Sequence, residues 1–199
     1  MKFRVRETKP AAATKETFTY GDYLNWSDEE RWELIDGTPY NMTPAPSRSH
    51  QGISRELLKQ FAVYLTGKTC KVYAAPSDVR LPKGNEKDEE IETVVQPDLV
   101  VVCEQQKLDE QGCKGAPDLI VEILSPHTAK KDLTIKFSLY ERVGVKKYWI
   151  VDPGNKIVQV YTSGEDGRLG RPEIYTSDDQ IKVGILLDLV IDLTMVFEE

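Results

Sequence analysis

The stretch DLIVEILS (residues 118–125), continued by DLTIKFSLYERVG (132–144) and then YWIV (148–151), decides how this chain folds. The first and last pieces are almost unbroken apolar runs of strand length. Such runs mark strands covered on both faces, as in a central sheet flanked by helices. Between them, Leu133, Phe137 and Tyr140 recur at helical spacing, and Gly144 stands where a helix ends, so a helix over residues 129–144 is expected. Upstream, residues 94–103 form a third apolar run. Before it, residues 49–66 carry Ile53, Leu57, Phe61 and Leu65 at every fourth position, ahead of Gly67. From Ser49 onward the order of the main elements therefore reads helix, strand, strand, strand, helix, strand, the first of the strands being residues 70–81.

The flanks supply smaller elements. Residues 20–32 read as a short helix with acids in its first turn, and residues 33–40 as a hairpin turning at Asp36-Gly37, a dipeptide that tolerates positive φ. PKGNEKDEEIE (82–92) is a charged exposed loop or hairpin tip. Residues 157–162, 173–176 and 181–183 add strands, and 185–193 is a last apolar segment that suits either core or interface. No repeat or linker divides the sequence. The expectation is an N-terminal tail (1–17) followed by one α/β domain (18–199) with a mixed central sheet and extra N- and C-terminal strands.

At 199 residues, 40% hydrophobic and 30% charged, the chain has the balance of a globular protein. No apolar run reaches the roughly 20 residues of a membrane span, and the basic N-terminus lacks the apolar centre of a secretory signal. Cys70, Cys103 and Cys113 show no zinc spacing. Reduced thiols and a cytoplasmic location are the expectation. The net charge of −7 argues against broad electrostatic attraction to nucleic acid, so any such role needs a local basic surface or metal assistance.

Chemistry is signalled where carboxylates interrupt apolar strands. Asp98 opens its run and Glu122 sits in the middle of its own. A buried carboxylate needs a hydrogen-bonded partner, a raised pKa or a cation. Alternation puts Glu122 on one face with Asp118, Ile120 and Leu124, and Asp98 with Val100 and Val102. If the strands are neighbours, the two acids converge at one sheet edge and suit a hard cation such as Mg²⁺ or Mn²⁺. Lys136, one helical turn before Tyr140, is placed to reach back over that edge.

Taken together, ELIDG (33–37), QPDLVVV (96–102), DLIVEILS and DLTIKFSLYERVGVKKYWIVDP (132–153) resemble the Uma family, long catalogued as a domain of unknown function. That family is assigned to the restriction-endonuclease-like PD-(D/E)XK superfamily, whose core has the element order derived above. The resemblance covers about residues 20–152. It implies a Mg²⁺-dependent (or Mn²⁺-dependent) endodeoxyribonuclease, with DNA as partner and a homodimer to cut both strands. The PD motif falls on Pro97-Asp98 and the acid of (D/E)XK on Glu122. The usual lysine position is Leu124, which cannot do that work; in this family the lysine has moved to the next helix, at Lys136. The implied metal ligands are Asp98, Glu122 and the Ile123 carbonyl. Glu33 matches an early acidic position and His50 a histidine at the start of the first core helix.

Several roles stay open. Glu33 is a third ligand, a carboxylate behind the ligands, or an ion-pair partner. His50 suits a hydrogen-bond donor better than a ligand for hard Mg²⁺. Asp78 and the Tyr140 hydroxyl are accessory candidates for the same cleft. A closed Asp98–Glu122–Lys136 ion network without metal, on a non-catalytic module binding nucleic acid or protein, is the alternative. Hydrolysis of another phosphate ester is a third option.

Overall fold

In this computed structural model, residues 17–27, 30–42 and 45–198 are described. The tail expected at residues 1–17 falls outside them except for Thr17. The chain opens with a single helical turn, α1 (Tyr20–Tyr23), and a hairpin of β1 (Trp32–Ile35) and β2 (Thr38–Asn41). Asp36 and Gly37 at its turn both take positive φ, 47° and 75°, as the Asp-Gly pair implies. The long helix α2 (Arg48–Leu65) follows, its first turn capped by the Ser47 hydroxyl accepting from the His50 N–H.

Next come β3 (Lys71–Ala74), β4 (Asp78–Arg80), β5 (Val94–Val95) and β6 (Leu99–Val102), a small hairpin of β7 (Leu108–Asp109) and β8 (Gly112–Lys114), then β9 (Leu119–Ile123). The second helical stretch runs through α3 (Ala129–Lys131), a π-helical turn (Asp132–Lys136) and α4 (Phe137–Val143), closing on Gly144 at φ 82°. The strands β10 (Lys147–Asp152), β11 (Ile157–Thr162), β12 (Glu173–Thr176), β13 (Gln180–Lys182) and β14 (Val190–Asp192) lead into the last turn, α5 (Leu193–Val196).

Two six-stranded sheets and a separate β13–β14 hairpin result. The central sheet has the order β12-β11-β10-β9-β6-β3 and is mixed, since β9 and β10 are parallel while the other neighbours are antiparallel. On one face α2 and the C-terminal elements bury Leu57, Phe61, Val121, Trp149 and Ile191. On the other face α4 and the second sheet, β2-β1-β5-β4-β8-β7, bury Val100, Ile120, Tyr140 and Tyr148. This double cover explains the unbroken apolar runs.

Several boundaries differ from expectation. The helix foreseen over 20–32 is one turn, Tyr20–Tyr23, and β1 already begins at Trp32. The single strands foreseen over 70–81 and 94–103 are each two strands in different sheets. The chain crosses from one sheet to the other at 75–77 and again at Gln96-Pro97-Asp98; prolines, which cannot donate to a ladder, mark both crossings. The apolar stretch 185–193 is mostly a turn that buries Leu186 and Leu189 before β14. Cys70 and Cys103 form a disulfide instead of remaining thiols. The register Lys71↔Val102 sets them opposite each other, a cross-strand relation that spacing along the chain does not reveal. Cys113 stays free and buried, and burial pushes its thiol up to about 11.

Two glycines make opposite predictions. At Gly112, φ is +121° and an added Cβ would lie 2.3 Å from the Asp78 carbonyl oxygen across the β4–β8 pair. Gly112→Ala is expected to lower unfolding free energy by about 1–3 kcal/mol. Gly52 lies within α2 with nothing inside 4 Å of an added Cβ. Gly52→Ala is expected to raise it by about 0.5–1 kcal/mol. Urea titrations of both variants check this, and equal effects would contradict it.

Candidate active site

The pairing of β6 with β9 matches Leu99 to Val121 and Val100 to Ile120. Carried one residue further, that register sets Asp98 opposite Glu122. The acids therefore meet where the two strands part. Here Asp98 Oδ2 accepts the Ile123 N–H at 2.7 Å, taking the place of a backbone acceptor. From α2, His50 Nε2 lies 3.2 Å from the same oxygen. A carboxylate only accepts, so Nε2 carries the proton.

Glu122, lining the same cleft, sits among buried groups. Its Oε1 accepts from Lys136 Nζ and from the Tyr140 hydroxyl, each at 2.8 Å. Lys136 Nζ also lies 2.6 Å from Glu33 Oε1 and 3.8 Å from Asp132 Oδ1, an oxygen with no hydrogen-bond partner. Glu33 is 0% exposed and fully engaged: Oε1 also accepts the Gln96 N–H at 3.0 Å, and Oε2 accepts from Lys131 Nζ at 2.5 Å. Of the three roles left open for Glu33, its contacts are those of an ion-pair partner. A cleft of about 830 Å³ opens over this cluster, lined by Asp98, Glu122, Ile123, Lys131 and Lys136 among others. Glu33 and Tyr140 lie behind its wall.

Four carboxyl groups, Glu33, Asp98, Glu122 and Asp132, thus face two lysines and one histidine. The excess of acid divides them. Burial pushes Glu33 up, but Lys136 and Lys131 outweigh it and hold the carboxyl down at about 2. Glu122 is raised to about 8 by burial, with Asp132, Asp98 and Glu33 adding to what Lys136 opposes. Burial likewise raises Asp132. Burial alone would lower Lys136, yet Glu122 and Glu33 hold its ammonium well above the ordinary lysine range. His50 is raised too, Asp98 overcoming the cost of burial.

Of the residues selected from sequence, Asp98, Glu122, Ile123, Lys136, Glu33, His50 and Tyr140 come together. Asp78 does not: Tyr23 Oη at 3.1 Å and Gln96 Nε2 at 2.9 Å hold it in a neighbouring cluster. Three residues of the site escaped sequence reading. Asp132 carries the ordinary signal of an i,i+4 pair with Lys136. Lys131 carries none, because five residues along an α-helix turn a side chain by roughly 140°. Gln96 lies inside the run 94–103, read as one strand, and carries no signal of its own. Among the described residues, no three His, Cys, Asp or Glu side chains are grouped to hold a metal ion.

An acid pair on adjoining strands of a mixed sheet, with a lysine on the next helix, defines the restriction-endonuclease-like class of fold. A crystal structure of a "putative nuclease belonging to DUF820" from Anabaena variabilis matches over 90% of this chain and 97% of its own, with TM-score 0.70 and 20% identity. Residues 20–195 match the model of the Uma2 family, described as "Putative restriction endonuclease", and the chain belongs to that family. An uncharacterised protein of Synechocystis sp., slr1290, is 29% identical over 149 residues, 73% of this chain and 74% of its own.

The two glutamates predict opposite pH responses of the metal-free protein. Glu33, depressed to about 2, stabilises the fold above its unfolded value of 4.5, and that contribution is lost as pH falls toward 2. Glu122, raised to about 8, favours the fold below 4.5, and that contribution is lost as pH rises through 8. Glu122→Gln should therefore gain thermal stability over wild type progressively between pH 5 and 8. Melting curves in EDTA check this; a constant difference across that range would contradict it.

Proposed function

We propose that this chain is a divalent-metal-dependent endodeoxyribonuclease that hydrolyses phosphodiester bonds by in-line attack of an activated water. One observation carries the reading: Asp98 and Glu122 face each other across a strand register at the floor of a cleft, with Lys136 bonded to Glu122. The family description and the nuclease-titled structural neighbour support the same class of activity.

The donors fit a hard cation. Asp98 Oδ1 and Glu122 Oε2 accept no hydrogen bond among the described residues, and the raised Glu122 is a carboxyl short of positive charge. Asp98 and Glu122 would hold Mg²⁺ or Mn²⁺ with the Ile123 carbonyl, a sparse oxygen set of the kind Mg²⁺ completes with water. When bound, the ion supplies Lewis-acid polarisation of the phosphate and a more acidic water.

The remaining work falls to the protein's own groups. Lys136 spends two of its three donors on Glu33 and Glu122 and keeps one to orient the water and offset charge building on the phosphate. Tyr140 fixes the Glu122 oxygen that faces the lysine. His50 and the Ile123 N–H fix Asp98 Oδ2 and so hold the carboxylate in place. Two copies about a two-fold axis would cut both strands of a duplex.

The direct Lys136–Glu122 bond also favours a second reading, a closed ion network on a non-catalytic binding module. Incubation with plasmid and Mg²⁺ or Mn²⁺ tests the first. Glu122→Ala, Asp98→Ala and Lys136→Ala should each lose about 100-fold or more in cleavage rate. Equal activity in wild type and variants would sink the assignment. Calorimetry with Mn²⁺ separates the two readings, since a closed network shows no saturable binding that Glu122→Ala abolishes.

A further inference from the structure

The second helical stretch is not a plain α-helix. Between Lys131 and Lys136 the backbone makes a π-helical turn, Asp132–Lys136. In such a turn the hydrogen bond spans five residues, so side chains five apart fall on nearly one side; in an α-helix they diverge by roughly 140°. The consequence is visible at Glu33, where Lys136 Nζ takes Oε1 at 2.6 Å and Lys131 Nζ takes Oε2 at 2.5 Å. Two ammonium groups are thereby clamped on one wholly buried carboxylate.

The two lysines differ in access. Lys136 is 3% exposed in its side chain and Lys131 13%, and Lys131 lines the cleft beside Asp98 and Glu122. The Tyr40 ring, 5.8 Å from Lys131 Nζ, flanks the ammonium. Glu33 uses one of its three donors. Among the described residues the other two meet no acceptor, and an ammonium set in the cleft suits an oxyanion.

We infer that Lys131 is a phosphate-binding residue of this site, presented to a backbone phosphate of the DNA by the π turn and braced from behind by Glu33. This rests on the nuclease reading and adds a contact on the substrate side, distinct from the work assigned to Lys136. It also gives a net acidic chain a local cation where the duplex must approach.

The test is binding of a short DNA duplex to the full chain in Ca²⁺, followed from low to high salt, with calorimetric Mn²⁺ binding and melting temperature measured alongside. Lys131→Gln keeps a donor for Glu33 but removes the charge. It should weaken duplex binding about tenfold at low salt and flatten the plot of log affinity against log salt by about 0.9, with Mn²⁺ binding retained. Lys131→Arg should restore most of both. Lys130→Gln, the same charge change at an exposed neighbour that does not line the cleft, should leave the slope as in wild type. Loss of melting temperature in Lys131→Gln with affinity and slope unchanged would make Lys131 a structural counter-charge only and overturn the inference. So would an equal loss in Lys130→Gln. No salt-dependent duplex binding by the wild type would instead bring down the nuclease reading, and this inference with it.

Discussion

The structure turns on a buried carboxylate that belongs to neither the central sheet nor the helix it touches. Glu33 comes from the N-terminal hairpin, and its ammonium partners come from the helical stretch about a hundred residues later. Through Lys136 it is joined to Glu122 on β9, so the second sheet, the helix and the central sheet share one ion network. Removing one member of such a network leaves an uncompensated buried charge, a cost of about 3–5 kcal/mol. The hairpin is therefore more than a cover for the core; it carries the carboxylate that pairs with both lysines.

The same region is where the chain changes sheets. Gln96, Pro97 and Asp98 lead from β5 in one sheet to β6 in the other. On either side of the proline, polar groups are spent on the cluster: the Gln96 N–H on Glu33, the Asp98 carboxylate on the Ile123 N–H. The Gln96 side chain is held in turn by Arg31, Tyr23 and Asp78. A strand that continued unbroken would satisfy its own backbone. Breaking it here frees the groups that shape the cleft.

Much of this was legible in the residues. Acids inside apolar strands are conspicuous, and two-residue alternation brings Asp98 and Glu122 together once their strands are neighbours, as β6 and β9 are. The main element order from α2 to β10 follows from apolar periodicity. The sheet crossings did not, because strands covered on both faces look alike whichever sheet they join. Glu33 had three open roles, since its partners are remote in sequence. Lys131 was invisible for a geometric reason: reading the segment with an α-helical period puts it on a different side from Lys136, and nothing in the sequence announces the π turn. The Cys70–Cys103 bond was hidden in the same way, by a relation between strands.

The separation of the acidic pair from Lys136 along the chain has its own meaning. Leu124, at the position two residues after Glu122, gives its N–H to the Val151 carbonyl and packs its side chain toward the core. The strand is thus relieved of carrying a cation, and the acids and the ammonium groups stand on separate supports. Pairing between β6 and β9 sets the spacing of the acids, while the winding of the helical stretch sets the aim of the lysines. The two settings are independent, like the base and the arm of an adjustable mount. A change in the length of the helical segment alters the second without touching the first, so a fold of this kind can vary its cationic partner while its acidic pair stays in place.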